Sequence, residues 1–376
     1  MLNTILTYVI AIFFLLGIVD KVFLQGRLGF QSQLEAGIAQ IADLVLTLVG
    51  IMCFAPVLGL VLTPVLSPIY TLIGADPANF CGIVLGPDGG AFSLAQSMTE
   101  NEQVIALSGL FLSSMLGVTV CFSLAFALGV VEKSDQEVLS QGMLAGIIAA
   151  PFATICAGLI AGFDIVFMLR SLAVSFAIVV LLVIGILKIR DKVVHGFMVF
   201  SKIISACSLV CLGFACFELL SGVKLIPWIG SIDDKFSTVG TMGVTIAGAL
   251  CMVSFLQRIL KRPMAALGHA LRINDTAILG IMLSIVNAMP VYAMVKDMDA
   301  RGKLTVIAFS TPACYALGSH LAFAQTMMAE YAIPMVAGKI LGGVMAVAIA
   351  YAFFPVPAEE GEEPLSGEGL AEACTE

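Results

Sequence analysis

The sequence predicts an all-α polytopic membrane protein with about nine transmembrane helices and two re-entrant or broken-helix hairpins, arranged as two inverted repeats. Three observations lead there. Sixty per cent of the 376 residues are apolar and only 12% are charged, where a soluble domain is nearer a quarter charged. The apolar residues gather in long runs almost free of charge, at 44–54, 104–131, 172–187 and 335–354. A helix needs roughly 20 such residues to cross the hydrocarbon core of a bilayer. Finally, the basic residues cluster in a few connecting segments, as they do on the cytoplasmic side of membrane proteins.

Hydropathy places spans near 3–19, 41–74, 104–131, 142–163, 171–188, 197–221, 238–257, 304–328 and 333–354. The first run lacks the basic start and small-residue cleavage site of a signal peptide and counts as a span. The stretch 41–74 contains Pro56, Pro64 and Pro68. It reads as one kinked or tilted span, with two short spans as the alternative. Two further apolar stretches, 78–97 and 276–295, are interrupted by polar and helix-breaking residues.

The positive charges decide whether those two stretches cross or turn back. Lys188, Arg190 and Lys192 form one basic segment, and Arg258, Lys261, Arg262 and Arg272 another, two spans later. Lys296, Arg301 and Lys303 join them on the cytoplasmic side only if 276–295 turns back. The same reading of 78–97 puts Lys21, Arg27 and Lys133 inside. The tally is then 13 basic residues inside against three outside, Arg170, Lys224 and Lys235, with Lys202 and Lys339 inside spans. The N-terminus is outside and the C-terminus cytoplasmic.

Each half then consists of two spans, a hairpin and two spans. Residues 1–170 form the first repeat, 171–196 a linking helix and basic loop, and 197–354 the second repeat. The odd number of crossings makes the halves opposite in orientation. A faint echo, Gly82-Ile-Val-Leu85 against Gly280-Ile-Met-Leu283, accompanies the matching element order. Inverted repeats with broken helices near the midplane are how many secondary transporters build a site open to either side. Non-helical backbone survives there only if protein buries it or water lines it.

The residues after 354 include seven glutamates and no lysine or arginine, so most of the net charge of −8 belongs to this tail. It reads as a disordered acidic cytoplasmic end. There is no basic patch for nucleic acid. The ten cysteines form no C-x-x-C pair and lie mostly in apolar runs, where they behave as small apolar residues. No zinc motif, serine–histidine motif or nucleotide loop points to an enzyme, and no cofactor is implied.

Asp88 carries the most information. It lies in Gly86-Pro-Asp-Gly-Gly90 inside an apolar stretch. A carboxylate at that depth is costly unless paired or hydrated and is a functional candidate by default. It reads either as the counter-charge of a cationic substrate or coupling ion, or as a solvated residue of an extracellular turn. Gly82, Gly86 and Gly90 recur at helical spacing, which lets another helix approach closely. In the second hairpin Pro290 deprives the Val286 carbonyl of its helical partner. That carbonyl and Asn287 are candidate ligands of an ammonium or hydroxyl, against the alternative of an ordinary kink.

His320, the only histidine within a span, is either a proton relay or hydrogen-bonding group, or a neutral histidine bonded to a facing helix. Tyr292, Tyr315, Phe92 and Phe323 are candidates for cation–π contact with an ammonium, although aromatics in membrane helices are more often packing. Gly158–Gly162 and Gly338–Gly342 read as helix-packing pairs.

These residues resemble the EutH-type permeases of bacterial ethanolamine utilisation. The likeness runs over nearly the whole chain except the acidic tail. It is carried by Asn287-x-x-Pro-x-Tyr-x-Met-x-Lys-x-Met-Asp-x-Arg-Gly-Lys303, Ala316-Leu-Gly-x-His-Leu-x-Phe323, Gly338-Lys-Ile-Leu-Gly-Gly343, Ala55-Pro-Val-Leu58 and Asp88-x-Gly-x-Phe-x-Leu-Ala95. The resemblance implies uptake of ethanolamine across the bacterial cytoplasmic (inner) membrane. Family members carry Asp before the histidine, where this chain has Ser319, so a second carboxylate is missing here. Protonated ethanolamine needs acceptors for its ammonium, which Asp88 and freed carbonyls supply, and a partner for its hydroxyl, from Asn287, Ser319 or His320. Another small amine, an amino acid, or a scaffold or sensor role are the alternatives. The coupling ion and any homo-oligomeric state stay open.

Overall fold

The computed structural model describes residues 2–232 and 235–354. Among these, every regular element is helical. The acidic tail falls outside the described residues. The helices are α1 (Leu2–Val22), α2 (Gln31–Leu72), α3 (Cys81–Val84), α4 (Phe92–Met98), α5 (Glu102–Val130), α6 (Gln136–Ile160), α7 (Ile165–Ile189), α8 (Lys192–Ser221), α9 (Lys235–Leu271), α10 (Asp275–Ser284), α11 (Met289–Met294), α12 (Ala300–Ala313), α13 (Ser319–Met327) and α14 (Ala332–Phe353).

Eight of the helical segments are long and apolar enough to cross a membrane, and they coincide with eight of the nine expected spans. The stretch expected at 41–74 is one continuous helix that begins ten residues early, at Gln31. Its first turns carry Gln31, Gln33, Glu35 and Gln40 and so escape a hydropathy window. Pro56, Pro64 and Pro68 are accommodated within it. Outward-facing Leu15, Leu181, Leu187 and Val210 leave α1, α7 and α8 with exposed apolar flanks suited to lipid. In contrast, α5 is buried along almost its whole length and forms the centre of the bundle. Its stretch Ile105–Gly117 is wound as π-helix, a form frequent at functional sites.

The ninth span, expected as a continuous helix over 304–328, is corrected by the structure. It is broken: α12 ends at Ala313, Tyr315 adopts a left-handed φ of 59°, and α13 restarts at Ser319. A non-glycine residue held there costs about 1–3 kcal/mol and marks an over-determined site. The freed backbone is satisfied from outside its own helix. The Tyr315 N–H donates to the Ser284 carbonyl (3.0 Å) and the Leu317 N–H to the Ile285 carbonyl (2.9 Å). These acceptors belong to the break between α10 and α11, so two unwound segments are zipped together. Buried backbone requires such pairing at membrane depth.

Both interrupted stretches return to the side from which they enter. The Thr99 hydroxyl, after α4, donates to Asp76 Oδ2, before α3, at 2.6 Å. The Asn274 N–H, before α10, donates to Asp299 Oδ1, after α11, at 2.8 Å. The two mouths lie at opposite ends of α6. Asp76 shares a cavity of about 370 Å³ with Asp164 and Arg170, beyond the C-terminal end of α6. Lys303, close to Asp299, donates to Asp135 at the N-terminal end of α6, at 2.7 Å. A helix of 25 residues is about 37 Å long, enough to separate two membrane faces. The mouths of the two hairpins therefore open toward opposite ends of α6.

Candidate functional site: the crossing of the broken helices

Asp88 sits where the first hairpin unwinds. Leu85 and Gly86 are extended, Pro87 occupies the first position of the next turn, and Gly90 has φ 111°. Proline is favoured there because its missing N–H would be unpaired anyway. The hairpin lies flush against α5: the Ser108 hydroxyl accepts from the Gly82 N–H (3.0 Å) and donates to the Ala78 carbonyl (2.9 Å). A Cβ on Gly82 would stand 2.2 Å from the Ser108 carbonyl oxygen. The glycine spacing read from the sequence thus serves close approach at this position.

The Asp88 carboxylate is turned toward its own N–H, the Gly89 N–H and the Ser319 hydroxyl. It therefore lies in the irregular turn that leads into α4 and meets the N-terminus of α13. That helix end carries the partial positive charge that favours an anion. His320, in the same first turn of α13, places Nε2 at 3.8 Å from Asp88 Oδ1. That is beyond a hydrogen bond. His320 itself is buried, its Nδ1 makes no hydrogen bond among the described residues, and its ring lies 5.3 Å from that of Tyr315. The Asp88 side chain is 28% exposed and Gly89 is open, so the carboxylate is reachable.

A further charge completes the cluster. Lys339 of α14 is fully buried and donates to the Ser114 carbonyl of α5, with Asp88 and Cys314 the acidic groups near its charge. Cys121 approaches from α5, its thiol near the Gly86 backbone. The crossing thus draws on the first hairpin, α5, α12–α13 and α14.

The sequence model described as "Ethanolamine utilisation protein, EutH" matches residues 2–353. The chain belongs to the EutH family. The "Probable ethanolamine permease EutH" of Listeria monocytogenes serotype 1/2a (strain 10403S) is 35% identical over 348 residues, 93% of each chain. The protein of the same name in Salmonella typhimurium (strain LT2) is 33% identical over 391 residues, 94% of this chain and 96% of its own. The "Uncharacterized protein YxeR" of Bacillus subtilis (strain 168) is 33% identical over 364 residues, 97% of this chain and 98% of its own. No solved structure matches the chain. The EutH match covers α1 to α14, and with them every residue of the crossing.

In this EutH-family chain, Asp88, Ser319 and His320 come together as the sequence suggests. Phe92 is fully buried and packs edge-to-face on Phe323 at 5.4 Å, a packing contact behind the site. Tyr292 is buried beside Phe126 and near Ser123 and Ser310, and it lines a cavity of about 190 Å³ with Glu132 and Lys296. Asn287 stands apart. It is exposed, and its side-chain carbonyl accepts from the Met289 N–H at 3.0 Å, capping the short helix α11. The Val286 carbonyl is pressed against Gly318, where a Cβ would stand 2.1 Å away. Lys339, read from the sequence as part of a helix-packing motif, is the residue missed. The available signal was a lone charge in a span between glycines.

Proposed function

We propose that this chain is a permease carrying ethanolamine, as its ammonium cation, into the bacterial cell across the cytoplasmic membrane by alternating access at the Asp88 site. The observation that carries the reading is Asp88 itself, a partly accessible carboxylate at the crossing of broken helices, in a family whose curated relatives are named probable ethanolamine permeases. An ammonium close to Asp88 Oδ1 would find further acceptors in the carbonyls that end α3 and α12. The unpaired Nδ1 of His320, or the Ser319 hydroxyl, would then take the substrate hydroxyl.

The face holding Asp135, Asp299 and Lys303 also carries Lys133, Arg272 and Lys296, and we assign it to the cytoplasm. The amide of Asn3, which donates to the Glu330 carbonyl at 2.7 Å, then lies outside, and α14 ends inside. The opposed hairpins support two inverted repeats, residues 1–170 and 197–354, joined by 171–196. The cavity at Asp76 and Arg170 would be the outer vestibule and that at Glu132 and Lys296 the inner one.

Uptake of labelled ethanolamine at pH near 5 tests this, because almost no neutral amine is then present to diffuse unaided. Uptake that requires the protein, and that excess ethanolamine suppresses more strongly than other small amines or amino acids, is the expected result. Protein-independent uptake would refute it.

A further inference from the structure

A second ammonium already stands beside the proposed site, on the Ser114 carbonyl. Lys339 is held there by packing. Its neighbours Gly338 and Gly342 press α14 onto α6, where a Cβ on either would stand 2.6 or 2.5 Å from the side chains of Ala157 and Ala153. The lysine reaches the crossing, and its ammonium donates to the Ser114 carbonyl of α5. Ser114 lies one turn before Gly117 and Val118, which pack on Leu85 and Gly86 beside Asp88: a Cβ on Gly117 would stand 1.9 Å from the Leu85 carbonyl oxygen, and one on Gly86 would stand 3.5 Å from both Val118 and Asp88 Oδ1. Cys314 and His320 are the other titratable groups near the ammonium. Packing of a small-residue helix calls for no lysine, and a cation at that depth is costly unless it has a partner. Its flexible four-carbon stem gives the charge room to move.

We propose that Lys339 is the resident counter-cation of Asp88, balancing the carboxylate as an ammonium in the empty carrier and releasing its proton to water when the substrate's ammonium takes its place, so that the loaded site is neutral as well. This rests on the permease reading above. With Lys339 in place the empty site is neutral and can reorient. Without it the empty site holds a bare carboxylate, which is costly to move through a low-dielectric core. Only the loaded carrier is then neutral. Net uptake requires the empty carrier to return, whereas exchange of external for internal ethanolamine does not.

The test compares the two modes for full-length protein in proteoliposomes. Net uptake of labelled ethanolamine into empty vesicles is set against exchange into vesicles preloaded with unlabelled ethanolamine. In Lys339→Gln the ratio of net uptake to exchange should fall about tenfold or more, as expected for one uncompensated buried charge. An unchanged ratio, whether both rates persist or both fall equally, overturns the proposal. If Lys339→Gln does not fold, the double variant Asp88→Asn/Lys339→Gln should fold, since neither charge is left alone. Failure of the double variant too would make Lys339 a structural residue and overturn the proposal. Wild-type vesicles that carry no ethanolamine in either mode would remove the permease reading itself, and this one with it.

Discussion

His320 Nε2, in the first turn of α13, stands 3.8 Å from Asp88 Oδ1, in the turn before α4, without bonding it, although the two segments come from opposite ends of the chain. A group inserted beside this pair can meet the carboxylate and the imidazole together. A small molecule with an ammonium and a hydroxyl two carbons apart has the matching chemistry.

The hydroxyl contact gives the first expectation. One neutral hydrogen bond is worth about 1 kcal/mol, or roughly a five- to tenfold preference. Wild-type protein should prefer ethanolamine over ethylamine by that factor, measured by competition against labelled ethanolamine. In His320→Ala the preference should largely vanish. An unchanged preference would assign the hydroxyl to another partner.

The zipped breaks give the second. Gly318→Ala would drive a methyl group into the Val286 carbonyl and should destabilise the protein by about 1–3 kcal/mol or more. Gly89→Ala meets nothing within 4 Å and should cost less than about 1 kcal/mol, as open surface sites do. Thermal midpoints of the two purified variants make the comparison. Equal midpoints would contradict the crossing geometry.

Lys303 and Asp135 are 18% and 12% exposed and tie the second hairpin's mouth to α6. A double-mutant cycle with Lys303→Met and Asp135→Asn should show a coupling of about 1–3 kcal/mol, above the value for an exposed pair. Additive effects would mean that the bridge does not hold in the membrane.

Much of this arrangement was legible in the sequence, and the omissions have physical causes. Charge asymmetry alone indicates that both interrupted stretches turn back, and Asp76–Thr99 and Asn274–Asp299 close them in the structure. Asp88 stands out because a carboxylate in an apolar run demands an explanation. The break at Cys314–Gly318 does not stand out, since hydropathy measures where a chain can cross and not where it unwinds. Pro312 and Gly318 are six residues apart, and each alone is tolerated in a membrane helix. Asn287 reads as a candidate ligand or as part of an ordinary kink, because Pro290 signals a break. The residue type alone does not reveal that its side-chain oxygen accepts from the Met289 N–H two residues ahead.

Topology can be checked without a substrate. Single cysteines at Asp275 and Lys296, in a background stripped of reactive thiols, should react with an impermeant maleimide from the same face. Cysteines at Asp76 and Glu100 should react from the other. Labelling of 275 and 296 from opposite faces would mean that α10 and α11 cross the membrane.

The central claim is that Asp88 meets the ammonium of the substrate. Protein-dependent ethanolamine uptake at pH near 5, compared between wild type and Asp88→Asn at equal membrane expression, tests it most directly. Losing a charge-assisted partner of about 1.5–3 kcal/mol should lower apparent affinity by roughly 10- to 100-fold. Uptake by Asp88→Asn at wild-type affinity and rate would contradict the claim and place the cation elsewhere in the protein.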